Sequence, residues 1–240
     1  MGEGASRPRY ILAENGSEYI IKGPALSPAN PYVAANELIA AHLAQSLGLP
    51  VLDFAIVEMG GKLFFASAWM PPGSFYPAIR RDLFDRRENR DSAYDLVVFD
   101  AWLCNMDRHA DNLIVRNRTQ RGNPDQLSLV LNDHSHCLLP PTRRPFHLAL
   151  LVNSRATDYV RIDFIRDAIV DRERLAIALD AIEQLDEDLV RTFVRLVPEE
   201  FLAGPDQSSV ESFLIERKTT LRQAFNDSSR SFVALQGGEL

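Results

Sequence analysis

Apolar and polar positions divide the chain into two unlike stretches. Residues 9–13 and 18–22 are short runs of β-type residues on either side of Asn15-Gly16. Asn-Gly is a strong hairpin signal because both residues accept a positive φ. Val33, Ile39, Leu43 and Leu47 then recur at helical spacing. Asn30 and Pro31 are placed to start that helix, and Gly48 with Pro50 to end it. Residues 51–59 and 62–69 read as two more strands joined at Gly60-Gly61. The first seventy residues therefore predict hairpin, helix, hairpin, and Met70-Pro-Pro-Gly-Ser breaks the pattern.

Beyond the break the period changes from two to 3.6. Residues 80–91 alternate in charge and are expected to form a solvated helix face or loop. Residues 92–104 form a mostly apolar helix in which Leu96, Val97, Phe99, Trp102 and Leu103 should be buried. Two short strands follow, at 113–115 and 127–131, around a polar turn with Gly122, Asn123 and Pro124. Residues 171–185, 186–197 and 208–225 have helical spacing. Ser208 and Glu211 suggest a capping box for the last of these, and the tail after Asp227 is expected to be loose.

Composition narrows the class. The 240 residues are 46% hydrophobic and 25% charged, as in an ordinary globular protein. The net charge of -7 and pI near 5.3 argue against nucleic-acid binding by the chain itself. No apolar run approaches a membrane span. The N-terminus lacks the features of a signal peptide, and two distant cysteines, Cys104 and Cys137, suit a reducing compartment. The expectation is a soluble cytoplasmic protein.

The chemistry is concentrated at residues 105–112, Asn-Met-Asp-Arg-His-Ala-Asp-Asn, with Asp133 some twenty residues later. Phosphoryl transfer needs metal ions, a cation on the phosphate oxygens, and a group that orients the acceptor hydroxyl. In the kinase solution a loop Asp faces the hydroxyl, an Asn five residues on holds metal, and a second Asp after a hairpin does likewise. Asp107, Asn112 and Asp133 occur in that order and spacing. By chance, Asp-Arg-His-x-x-Asn should occur in roughly one chain of this length in a thousand. Asn and Asp supply the hard oxygen ligands that Mg²⁺ prefers. Lys22 ends an apolar strand, where its ammonium needs a partner, and Glu37 on the next helix is the candidate.

This set resembles the HipA-like kinases, and its Asp-Arg-His-x-x-Asn core is also similar to that of phosphoinositide kinases. Residues 2–8, with Gly4 and Ser6, resemble that family's phosphate-covering loop. Tyr19-Ile-Ile-Lys22 is similar to its phosphate-lysine strand, and Asn36-Glu37 to its regulatory helix. The resemblance implies an α+β, two-lobed protein-kinase-like fold. A β-rich N-lobe would span residues 1–69, and a mainly helical C-lobe residues 70–240. Residues 68–72, with Met70, would connect the lobes and meet the adenine of ATP. Lys22 would hold phosphate and Glu37 would position Lys22, with ATP and Mg²⁺ as cofactors. The acceptor would be Ser or Thr of a protein substrate, with an antitoxin-type partner possible.

Some readings stay open. The metal segment reads Asp133-His-Ser-His instead of Asp-Phe-Gly. Either Asp107 or His109 could serve as base, with Asp107 favoured. Asp107, His109, Asp133, His134 and His136, with the cysteines, could instead build a metal-dependent hydrolase. A nucleotide-binding pseudokinase is the third alternative.

Overall fold

The computed structural model describes residues 8–118, 126–236 and 240. Strands β1 (Arg9–Leu12) and β2 (Glu18–Lys22) form the expected hairpin, Arg9 facing Ile21 and Leu12 facing Glu18. Gly16 takes a φ of +82° in its turn, and the Asn15 side chain accepts a hydrogen bond from the Ser17 amide (2.9 Å). Helix α1 (Val33–Ser46) and strands β3 (Phe54–Met59) and β4 (Lys62–Ala68) complete a four-stranded antiparallel sheet, ordered β1-β2-β4-β3, with the helix packed against it. Gly23, directly after Lys22, has no room for a side chain: a Cβ there would lie 2.8 Å from the Phe64 ring.

Asn30 does not cap α1. The N-cap position is Tyr32, without a side-chain cap, and the Asn30 amide reaches across to the Ser135 carbonyl (3.1 Å). Helix α1 is buried on nearly every side, because the sheet covers one face and the rest of the chain covers the others.

A strand absent from the sequence reading, β5 (Phe75–Tyr76), pairs with β6 (Leu113–Asn117), which pairs with β7 (Leu127–Leu131). The Gly122–Pro124 turn lies outside the described residues. The charged run forms helix α2 (Arg81–Asp85), yet Leu83 and Phe84 are buried, and the Arg87 guanidinium sits 3.4 Å over the Phe84 ring. Only the remaining charges of that run face solvent. Helix α3 (Ser92–Trp102) is almost wholly buried and leads into the loop bearing Asp107.

The rest is helical: α4 (Asp163–Asp167), α5 (Arg172–Glu183), α6 (Glu187–Arg195) and α7 (Gly204–Asn226). The capping box is not formed. Helix α7 starts four residues before Ser208, with Pro205 in its first turn, and Glu211 pairs with Arg195 (2.9 Å). Nor are residues 227–236 loose: Phe232 is fully buried against Phe225, and the Ala234 amide donates to the Ile169 carbonyl (3.1 Å); the last residues before Leu240 lie outside the described ones.

One apolar core runs from α1 through α3 to α5, α7 and Leu235. The two sheets meet where Val51 pairs in parallel with Leu131, and the Leu131 amide donates to the Pro50 carbonyl (2.8 Å). Among the described residues, no helix is long and apolar enough to cross a membrane.

Candidate functional site

Lys22 closes β2 with its side chain buried, and α1 brings Glu37 to it: Nζ to Oε1 is 2.6 Å. Asp133, after β7, approaches the same ammonium at 2.9 Å. Burial opposes the charge on Lys22, but the Asp133 and Glu37 carboxylates outweigh it and hold the ammonium above the ordinary lysine range. Asp133 is driven the opposite way. Burial pushes its carboxyl up, yet Lys22 and the Ser135 hydroxyl hold it well below the usual carboxylate range. Glu37 is raised, because burial and the neighbouring Asp133 charge together exceed the pull of Lys22. One ammonium thus serves two carboxylates.

The loop after α3 is built on a buried ion pair. Arg108 is bidentate to Asp100, with Nε–Oδ2 2.8 Å and a terminal nitrogen 3.0 Å from Oδ1. Burial opposes the Arg108 charge, and Asp100 more than restores it. The remaining terminal nitrogen donates to the carbonyls of Asn112 (2.7 Å) and Asn132 (2.6 Å). Arg108 therefore holds the backbone of Asn112 close to that of the residue preceding Asp133. Asn105 donates to Asp100 (2.8 Å) and accepts from the Asp107 amide (3.2 Å). These fixed groups leave Asp107 half-exposed at the loop crest. The Asn112 amide nitrogen donates to the Asp107 carbonyl (2.7 Å), which fixes the orientation of the Asn112 oxygen.

His109 is exposed, 3.9 Å from an Asp107 oxygen and 3.7 Å from Asp111. Neither distance is a hydrogen bond, so nothing holds its ring as the interior holds Arg108.

The segment from Asp133 to Leu139 is held by α1 and by Asn30. Asp133 takes a φ of +56°, a region Asp tolerates better than most residues. The Ser135 amide donates to Asp133 Oδ1 (3.2 Å), and the Ser135 hydroxyl lies 2.5 Å from the same oxygen. The Ser135 carbonyl accepts from Asn30 (3.1 Å) and Asn36 (2.9 Å). Asn36 also donates to the Leu139 carbonyl (2.9 Å) and accepts from the Leu139 amide (3.2 Å). The His134 amide donates to Glu37 Oε2 (3.1 Å). His134 occupies the place of the expected Phe. Burial, and then the nearby Arg108 charge, hold its imidazole well below the ordinary histidine range. It sits edge-on to Phe99.

Asn112 and Asp133 offer a neutral and an anionic oxygen, a donor set suited to Mg²⁺. Cys104 points to the Ala101 carbonyl, Cys137 to the Asn36 carbonyl, and among the described residues no three His, Cys, Asp or Glu side chains cluster as metal ligands.

A cleft of about 380 Å³ opens between the two sheets. Ile20, Leu52, Trp69, Met70, Phe75 and Ile114 give it an apolar lining, to which Lys22 and Asp133 add charge; Leu52 and Ile114 belong to one small apolar cluster against which Met70 and Phe75 pack. Gly4 and Ser6 lie outside the described residues, though Pro8 reaches the cleft.

Of the residues singled out by sequence, Lys22, Met70 and Asp133 line this cleft, Glu37 lies behind Lys22 as its ion-pair partner, and Asn112 and Asp107 sit on the loop tied to it by Arg108. It missed Ser135, Asp100 and the cross-connections of Asn30. A carboxylate at 100 within the apolar run 96–103 was the available signal for the second. No sequence signal marks the others.

The model of the HipA-like kinase family matches residues 1–71. No curated protein sequence matches the chain. Among solved structures, the proinflammatory kinase CtkA of Helicobacter pylori superposes with a TM-score of 0.64 at 16% identity, over 96% of this chain and 93% of that one. HipA of Shewanella oneidensis MR-1, solved with HipB and operator DNA, gives 0.51 at 14% identity, over 98% of this chain and 66% of that one. At such identities the likeness is one of fold. The fold is the two-lobed protein-kinase-like one, and the resemblance to HipA-like kinases read from the sequence is borne out.

Proposed function

Starting from a chain whose first 71 residues match the HipA-like kinase model and whose fold is kinase-like, we propose that it is an ATP-dependent kinase that transfers the γ-phosphate to a Ser or Thr hydroxyl of a protein. The observation that carries this reading is an apolar cleft whose lining includes Lys22 and Asp133, with Lys22 ion-paired to both Asp133 and Glu37. The apolar lining suits a purine and the charged pair suits its phosphates.

In this reading Lys22 binds phosphate oxygens and Glu37 keeps its ammonium aimed. Met70 stands where the two lobes join, the boundary falling near residue 69. Asn112 and Asp133 would hold Mg²⁺, which supplies neutralisation of the phosphate charge. Arg108 sets how far apart those two side chains are carried. Asp107 orients the acceptor hydroxyl and takes its proton; its position, braced by Asn105 and Asn112, favours it over the unbraced His109. The complex of Shewanella HipA with HipB supports an antitoxin-type partner.

Incubation with γ-labelled ATP, Mg²⁺ and a cell lysate tests this. Wild type should label itself or a lysate protein, and Asp107→Asn and Asp133→Asn should each lower the rate by about a hundredfold or more. Absence of both ATP binding and label transfer in wild type sinks the reading, and full activity in both variants would misplace the site.

A further inference from the structure

An ammonium has three N–H donors. Those of Lys22 face three protein oxygens, Glu37 Oε1 at 2.6 Å, Asp133 Oδ1 at 2.9 Å and the Ser135 hydroxyl at 3.1 Å. The Ser135 hydroxyl also lies 2.5 Å from Asp133 Oδ1 and 2.9 Å from Glu37 Oε1. It has one proton, so it serves one carboxylate at a time. Ser135 is the shared member of this set. A phosphate oxygen arriving at Lys22, and a cation arriving at Asp133 Oδ1, must each displace contacts made within it.

We propose that Ser135 sets the affinity of the cleft for the metal–nucleotide complex, by holding Lys22 and Asp133 on each other while the cleft is empty. It is a positioning residue that acts through those two side chains, and the inference rests on the kinase reading. The hydroxyl is separable from the fold. Ser135 is fully buried, and its backbone is held independently by Asn30 and Asn36 at the carbonyl and by the Asp133 side chain at the amide. Removing the oxygen therefore leaves the segment in place, while Lys22 gains an uncommitted donor and Asp133 loses a competitor for the metal.

Isothermal titration with Mg²⁺ and a non-hydrolysable ATP analogue, together with thermal melts, tests this on wild type, Ser135→Ala and Ser135→Thr. Ser135→Ala should melt lower when empty, yet bind the complex about three- to tenfold tighter, as one lost competing hydrogen bond implies. It should show a larger nucleotide-induced rise in Tm and a lower half-saturating Mg²⁺. Ser135→Thr, which keeps the hydroxyl, should stay near wild type. A purely structural serine would give the lower melt with unchanged or weaker binding, and that result overturns the Ser135 proposal alone. A wild type that binds no nucleotide overturns the kinase reading, and this proposal with it.

Discussion

Arg108 directs its guanidinium entirely inward, to Asp100 and to the carbonyls of Asn112 and Asn132. A lysine could not reproduce that fork. Arg108→Lys should lose the bidentate geometry and lower turnover more than nucleotide affinity, a split visible in steady-state kinetics. Arg108→Met would strand the Asp100 carboxylate in the interior and cost about 3–5 kcal/mol in urea unfolding. Lys22→Met should cost a similar amount, because it leaves Glu37 and Asp133 facing each other without a cation. Residue types and spacings singled out Lys22, Glu37, Asp107, Asn112 and Asp133 as candidates, since the phosphoryl transfer proposed for the chain would restrict which side chains can sit where. Ser135 and Asn30 were not visible that way. Their roles depend on contacts spanning about a hundred residues, and a lone Ser or Asn has many ordinary uses.

At the scale of elements, α1 joins the two parts of the molecule. Asn36 and Glu37 grip the segment from Asp133 to Leu139, and His42 stacks on Phe193 of α6 (ring centroids 5.1 Å) and edge-on to Phe54 of β3 (4.9 Å). Burial lowers the His42 pKa. The unfolded chain, near 6.5, then binds the proton more readily than the native one. The stabilisation is complete above about pH 6.5 and is lost as pH falls; the buried His134 acts in the same direction. Denaturant midpoints should therefore drop between about pH 7.5 and 5.5, and His42→Phe should reduce the slope while keeping the stack. Periodicity predicted α1, the hairpins and the C-terminal helices. It did not reveal β5, whose two residues are too few to show a period, or the docked tail, whose Phe232 sits in a polar stretch. Phe232→Ala should cost about 3–5 kcal/mol, measurable by equilibrium unfolding.

Over the whole molecule, the core does not stop at the lobe boundary. It passes from α1 into α3 and on to Leu235, so the two sheets share one interior although they order separately. Calorimetry should find a single cooperative transition instead of an early melt of the first seventy residues. Two main-chain amides add a kinetic corollary. Those of His134 and Leu139 lie in a loop, outside any helix or strand ladder, where hydrogen–deuterium exchange is ordinarily fast. Both donate to buried side chains of α1. Releasing them requires α1 to leave the core, so their protection should approach that of the central strands, and their exchange rates would report the free energy of opening the entire molecule.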